Sequence, residues 1–544
     1  MIPAAGEAFT SEERARLAPH FTNLDGHVFA ITNLPETVKG ALFARYSRSS
    51  KSLRRLFLDE FAGQSSPGGA AEPSVGLARA EKLYARVFNE YGDDSVAQLG
   101  GAHVACEYVS NVLTKVLEWG RLMAYLEQST RYVPYTDKLH GRWRYHVPGE
   151  IQGPLRQQFE ATMDEAFEVY ARWIPPMQEH FAKRFPRGAS DSPTVHASAI
   201  RAKALDTLRG LLPAATQSNV GLYGTGQAYE ALILRMRANP LSEVRTCADQ
   251  MLVELRKVIP AFLVRVDQPD RGDRWSRYLA ECREETAAVA EPHVDVPAEP
   301  VPEVTLTDFD PDGEAKVVAA AMYAASDLPD GQLLRIARAM TPDERLTVLR
   351  AYAGDRGNRR HRPGRAFERT RYRFDVLTDY GAFRDLQRHR LLTLEWQPLS
   401  TGHGYSEPEA IREAGAQDDW GRVMDGSAAL YAGLQGAGLE SVAPYAVAMA
   451  YRVRFYMDMN AREAMHVIEL RTAPQGHPAY RRVCQQMHRL IGEVAGHRGI
   501  AGAMRFADHS AVELERLGEE RRLETRRAGR DAIRPELPRR SSSG

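Results

Sequence analysis

Residues 127–132 read Glu127-Gln128-Ser129-Thr130-Arg131-Tyr132, and residues 388–390 read Arg388-His389-Arg390. Planar guanidinium groups bind phosphate bidentately. Arg131, beside the Ser129 hydroxyl, and Arg209, ahead of Pro213 in a Leu-Arg-Gly-Leu-Leu-Pro run, are therefore candidate grips on a phosphate group. Ser129 has no neighbouring histidine in sequence to activate it, which points to binding rather than nucleophilic attack. A third group lies on one predicted helix. Asn460 with Glu463 three residues on fits a capping box. The helix continues through His466 to Arg471, and Pro474 ends it. Asn460 and Arg471 then share a face about 16 Å apart. Arg462, His466 and Glu469 fall at i, i+4 and i+7 on a neighbouring face. Each piece also has a bland reading, as solvated surface or an ordinary capped helix, so their joint spacing carries the argument.

Several elements must position these residues. Val104, Tyr108, Val112 and Val116 recur every four residues and predict a helix leading to Arg121 and the Ser129 segment. In the second half, Tyr372, Phe374 and Val376 alternate as in a strand. A short helical stretch with Tyr380, Phe383 and Leu386 then delivers Arg388. Residues 155–185 read as a long helical packing insertion with no counterpart in the second half. Residues 284–315 are rich in proline, alanine and acids without a clear period, and read as an extended linker. The halves are placed at 20–283 and 316–518, with an arginine-rich tail, 519–544, read as frayed.

The 544 residues carry 71 basic and 71 acidic side chains, so no net field attracts nucleic acid. A solvated end is the favoured reading of the basic tail, with nucleic-acid contact as the alternative. The content, 43% hydrophobic and 26% charged, is that of a soluble globular protein. The opening residues show no secretory pattern and no window is long enough to span a bilayer. Cys106, Cys247, Cys282 and Cys484 have neither metal-ligand nor CxxC spacing, so no metal is expected and a cytoplasmic home is the simplest.

The chain resembles the flavin-dependent thymidylate synthases (the ThyX, or thymidylate synthase complementing protein, family), as a fused tandem of two diverged copies. In that family Arg-His-Arg and the serine segment form one stretch, R-H-R-x7-S. Here Ser129 is preceded by Trp119-Gly120-Arg121 where the triplet should stand, and Arg388-His389-Arg390 is followed by Pro398 where the serine should stand. Glu368 lies twenty residues before Arg388, as the family's acid does, and Asn460, Arg462 and Arg471 follow in register. In the first half Gly226 and Ala228 replace the asparagine and first arginine, while Arg237 survives.

The resemblance implies an α+β fold: two tandem domains, each a twisted, mainly antiparallel sheet with flanking helices, forming a pseudo-dimer. It implies reductive methylation of dUMP to dTMP with methylenetetrahydrofolate, FAD and NADPH. Glu127, Gln128, Ser129, Thr130, Arg131, Arg209 and Arg388 are then expected on dUMP. Glu368, Arg388, His389, Arg390, Asn460, Arg462 and His466 are expected on FAD, and Arg471 against the pyrimidine. Because each half has lost what the other keeps, one composite site per chain is expected, in a homo-oligomer of such pseudo-dimers. The alternative is a catalytically silent flavin- or nucleotide-binding paralogue with a scaffolding or regulatory role.

Two departures bear on the substrate. The histidine-rich element before the triplet is altered in both halves, reading Gly92-Asp93-Asp94-Ser95 in the first and keeping only Glu368, with His361 nearby, in the second. The glutamine expected three residues before the triplet is Asp385, which would repel dUMP or change the base accepted. His477 reads either as a flavin contact or as a turn residue before Pro478. Arg245 and Arg481 read as structural ion-pair partners.

Overall fold

The computed structural model describes residues 8–47, 49–62 and 98–533. Gly92–Ala97, the altered element of the first half, lies outside the described residues. No helix among the described residues is long and apolar enough to cross a membrane.

The same order of elements occurs twice. In the first half β1 (Gly101–Ser110) leads into a helix at Asn111–Leu117 and then β2 (Met123–Glu127). After a long interval come β3 (Gln217–Thr225) and a helix at Gly226–Arg237. The second half adds β4 (Val304–Phe309) and then repeats the pattern: β5 (Arg371–Asp379), a helix at Tyr380–Leu386, and β6 (Thr393–Trp396). It closes with β7 (Arg452–Asn460) and a helix at Ala461–Arg471. Strand order is β1-β3-β2 in one sheet and β4-β5-β7-β6 in the other, so the last strand of each repeat lies inside its sheet.

The alternation expected around Tyr372, Phe374 and Val376 is that of β5, and all three side chains are fully buried. They lie opposite Met459, Met457 and Phe455 of antiparallel β7. At its end the Asp379 carboxylate accepts from the Ala382 amide at 2.9 Å, which turns the strand into the helix that carries Arg388.

Four expectations are corrected. Val104 and Tyr108 lie in β1, and the helix begins only at Asn111. A spacing of four fits a period of two as well as a helix, and β-branched and aromatic content favours the strand. The expected linker instead holds the end of a helix, Gly272–Val294, and all of β4. Its alanines and glutamates are good helix formers, and Val304 and Leu306 bury themselves opposite Val376 and Phe374. The first half's long helix, Gly153–Arg184, has a counterpart at Gln417–Gly436, and Trp173 Nε1 donates to Asp419 at 2.6 Å between them. The tail is helical over Leu517–Ile533, with Arg521 paired to Asp191 at 2.5 and 2.9 Å; residues 534–544 lie outside the described residues.

Two compact units divide the chain without following the two halves. The first comprises Met1–Val109, Val116–Glu127 and Ser218–Pro297; the second comprises Ser110–Lys115, Gln128–Gln217 and Ala298–Gly544. The second unit has one continuous core, in which Phe167, Tyr170 and Leu212 join Phe374, Phe383 and Met457. Two loops are laced together inside it. Ala214 N donates to Val447 O at 2.8 Å, Met449 N to Leu212 O at 2.9 Å, and Ala450 N to Gly210 O at 3.0 Å. Gly210 must be glycine, since a Cβ there would lie 2.6 Å from the Trp420 ring. This lacing fixes the backbone that carries Arg209.

Candidate functional site

Every sequence-predicted site residue except Glu127 falls in the second unit. Glu127 is the last residue of β2, in the first unit, while the chain from Gln128 onward belongs to the second. The Ser129 hydroxyl accepts from the Arg131 amide at 3.2 Å and closes a turn. Thr130 is buried beside it.

Arg131, expected on dUMP, meets several partners within the protein. Its Nε and Nη2 donate to the two oxygens of Asp206 at 2.7 and 2.6 Å. Nη1 donates to the Tyr480 hydroxyl at 3.1 Å, and Nη2 also to the Gln475 carbonyl at 3.3 Å. Burial pushes the Asp206 carboxyl up, but the charge and hydrogen bonds of Arg131 outweigh it and hold that carboxyl below the usual range. Arg131 has one N–H left to offer. Asp206 and Tyr480 carried no motif; the only signal was a lone acid inside the apolar run Ala204-Leu205-Asp206-Thr207-Leu208.

Asp385 gathers the other cations. Arg388 Nη2 donates to Oδ1, Arg209 Nη1 to Oδ2 at 3.4 Å, and Arg471 Nη1 stands 3.7 Å from Oδ1. Arg471 Nη2 also donates to the Asp385 carbonyl. Against burial, which acts to raise it, these charges hold the Asp385 carboxyl far below its ordinary range. It is a permanent anion. Arg209 is 4% exposed, and its Nη2 has no hydrogen-bond partner among the described residues.

Arg471 links this cluster to the triplet, donating from Nε to His389 Nε2 at 2.9 Å. Burial first, then the Arg471 charge, push the His389 imidazole well below its ordinary pKa, so the ring is neutral. Its proton then sits on Nδ1, which faces Glu463 Oε1 at 3.6 Å. Arg388 is half-buried and Arg390 exposed.

The Asn460 side chain, expected on flavin, accepts from the Glu463 amide at 2.9 Å and caps the helix. Glu463 turns toward His389, so half of the expected capping box forms. Arg462 donates to the Pro363 carbonyl at 2.9 Å and to Glu368 at 3.3 Å, and Arg365 holds the other Glu368 oxygen at 2.9 and 3.0 Å. Glu469 lies inside the protein, bound by Arg356 at 2.6 and 2.7 Å. His477 is a turn residue, its Nδ1 accepting from Ala479 N at 3.2 Å, with Nε2 3.3 Å from the Asp206 carbonyl. Arg481 stands 3.6 Å from Asp508 and donates to the Thr472 and Ser510 carbonyls, whereas Arg245 binds the carbonyls of Asn239 and Pro240.

His389, Glu463 and His466 could offer three metal-ligand atoms within 4.8 Å of one another. Arg471 already donates to His389, and Arg362 Nη2 lies 3.2 and 3.4 Å from the His466 nitrogens. A metal cation would sit among arginines, so the donor set suits an anionic or dipolar ligand better.

Glu463 supplies a pH test. Burial pushes its carboxyl up to about 7 from an ordinary 4.5, despite Arg362, Arg462 and Arg390. Below 4.5 it is protonated in folded and unfolded chains alike and costs nothing; as pH rises through 7 the unfolded chain is favoured. Glu463→Gln should leave stability at pH 4 unchanged and add about 3 kcal/mol at pH 8. Urea denaturation at the two pH values measures this, and an equal change at both would refute it.

The first half's counterparts have become structural. Arg235 lies 4.9 Å over the Trp119 ring, and Arg237 is held by Asp249 at 2.9 Å and Asp267 at 2.7 Å.

The thymidylate synthase complementing protein model matches residues 39–261 and 305–496, covering most of both halves. The chain belongs to that family. The two matched segments accord with a two-copy arrangement. Among curated family relatives, a UPF0159 protein of Chlamydia muridarum is 37% identical over 96% of this chain and 99% of its own length. One from Chlamydia pneumoniae is 36% identical over 95% and 98%. One from Thermoplasma acidophilum is 30% identical over 90% and 99%.

Proposed function

We propose that this member of the thymidylate synthase complementing protein family is an FAD-dependent thymidylate synthase. In this reading it converts dUMP to dTMP with methylenetetrahydrofolate and NADPH, in the cytoplasm, at one composite site per chain. The observation that carries the reading is the Asp385 cluster. Arg209 from the first copy and Arg388 and Arg471 from the second converge on one carboxylate, with Arg131 joined to them through Asp206, Tyr480 and the adjoining helix.

A bound reduced flavin would supply the hydride that replaces thiolate attack on the pyrimidine, in keeping with motifs that contain no cysteine. The residues that would hold it are Arg388, His389 and Arg390, with Arg462 and Glu368. Their mixed cationic and hydrogen-bonding character fits a flavin dinucleotide. Arg471 serves the pyrimidine: a fixed cation beside a weakly acidic ring nitrogen favours its anion. Neutral His389 braces Arg471 by accepting from its Nε. Arg209, with one nitrogen unpartnered among the described residues, is a donor for the substrate phosphate. All of these are positioning tasks. The two copies act in this reading as a pseudo-dimer, and two such chains would assemble as the homo-oligomer.

A silent flavin- or nucleotide-binding paralogue is the second reading, favoured by the internal capture of Arg131 by Asp206 and of three arginines by Asp385. Purified protein separates the two. A yellow preparation whose NADPH oxidation rises with dUMP supports the synthase. Bound flavin with a spectrum indifferent to NADPH and dUMP supports the paralogue. Arg388→Ala should abolish flavin retention while Trp119→Ala leaves it intact; equal loss from both would remove the asymmetry on which the composite site rests.

A further inference from the structure

Residues 356–373 contain eight arginines, and three of them, Arg359, Arg360 and Arg362, share one short loop. That loop is braced. Arg356 passes beneath it, donating to the His361 carbonyl at 2.6 Å and the Arg359 carbonyl at 3.4 Å while locked on buried Glu469. The Arg360 amide donates to Asn358 Oδ1 at 2.9 Å, and the Gly357 amide to His361 Nδ1 at 3.2 Å. The backbone therefore cannot relax easily to spread the charges.

The local acids are already committed. Asp355 pairs with Arg505 at 2.8 Å, Glu368 with Arg365 and Arg462, and Glu469 with Arg356. Arg359, Arg360 and Arg362 make no close ion pair with an acid among the described residues; Arg362 lies against the His466 ring, and its charge also acts on the buried Glu463 carboxyl. Arg360 and Arg362 are exposed and Arg359 half-exposed. The same cations are felt beneath the loop: after burial, Arg362 and Arg359 are the leading causes that depress His466. Three guanidiniums on one short loop with no close acidic partner repel one another, at a cost in free energy. A surface evolved only for solubility would intersperse acids among them.

We propose that the Arg359–Arg360–Arg362 loop is a binding site for an oligoanion, a ligand that presents two or more adjacent negative charges as phosphates or carboxylates. The proposal is separate from the reading above, in which none of the three arginines takes part. Guanidinium forks match phosphate and carboxylate oxygens bidentately, and several on one loop favour a multiply charged ligand over a monoanion.

Calorimetric titration of the full chain with inorganic pyrophosphate, with a triglutamate peptide and with acetate tests it. At least one of the first two should bind, acetate should not, and affinity should fall steeply between low and physiological salt. The Arg359→Ala/Arg360→Ala variant should bind at least tenfold more weakly with a melting temperature no lower than that of the wild type, because losing two like charges relieves repulsion and neither side chain is buried. Arg335→Ala, an exposed arginine on another helix, should bind as wild type does. Preference for pyrophosphate would identify a phosphate ligand, and preference for triglutamate a carboxylate one. Binding unchanged by the double substitution, or no binding of either probe to wild type, overturns the proposal. Flavin content, read separately at visible wavelengths, reports on the function proposed above and not on this site.

Discussion

Glu469→Ala will destabilise the protein by about 3–5 kcal/mol, among the largest effects of any single substitution. Arg356 and Glu469 are 3% and 1% exposed in their side chains and meet through two hydrogen bonds at 2.6 and 2.7 Å. Removing the carboxylate leaves a guanidinium that cannot lose its proton and cannot reach water. Its bonds to the carbonyls of His361 and Ala503 satisfy N–H groups but carry no compensating charge. Replacing both partners, as Arg356→Met/Glu469→Leu, should cost far less, because no charge is then left buried. Chemical denaturation of the three proteins at one pH is the measurement. A double variant as unstable as Glu469→Ala would show that packing around Arg356, not charge, dominates. The double variant also releases the brace beneath the arginine loop, so it should weaken oligoanion binding while keeping the fold.

What the sequence made legible was set by the range of the interactions involved. The β5 alternation and the Asn460 cap are decided within a few residues, and both form. The β4 strand was missed because Val304 and Leu306 are only two inward positions between prolines and acids; their partners, Val376 and Phe374, lie some seventy residues away. The helix expected through Val104 failed because a four-residue repeat does not distinguish a strand from a helix. At the site, residue types pointed to arginines but not to the partners the fold gives them. Asp206 and Tyr480 reach Arg131 from distant parts of the chain, and no local pattern announces such contacts. Glu469 shares a helical face with Arg462 and His466 by spacing, yet it is almost wholly buried. Charge pairing in the interior is a tertiary fact. Spacing could mark the cations, whereas the anions that neutralise them became visible only with the fold.

Asp385→Gln should change both stability and ligand affinity, in opposite directions. The carboxylate is approached by Arg388, by Arg209 at 3.4 Å and by Arg471 at 3.7 Å, in a setting where Arg209 is 4% exposed. Neutralising it leaves three guanidiniums facing one another with a single weak acceptor among them. The ligand-free protein should lose about 3–5 kcal/mol, the typical cost of breaking a buried charge pair. The same arginines then lack an internal anion and become available to an external one. In the proposed function Arg209 is the one that meets the dUMP phosphate, and dUMP affinity should rise at least tenfold, about 1.4 kcal/mol. Deoxyuridine, which has no phosphate, should be affected little. Thermal unfolding with and without dUMP should therefore show a lower melting temperature for the variant and a larger upward shift on adding nucleotide. Titration with dUMP and deoxyuridine separates the phosphate from the base. If dUMP affinity falls, or moves in parallel with that of deoxyuridine, Asp385 does not compete with the phosphate. It would then face the pyrimidine, where a carboxylate accepts a ring N–H and so selects the base.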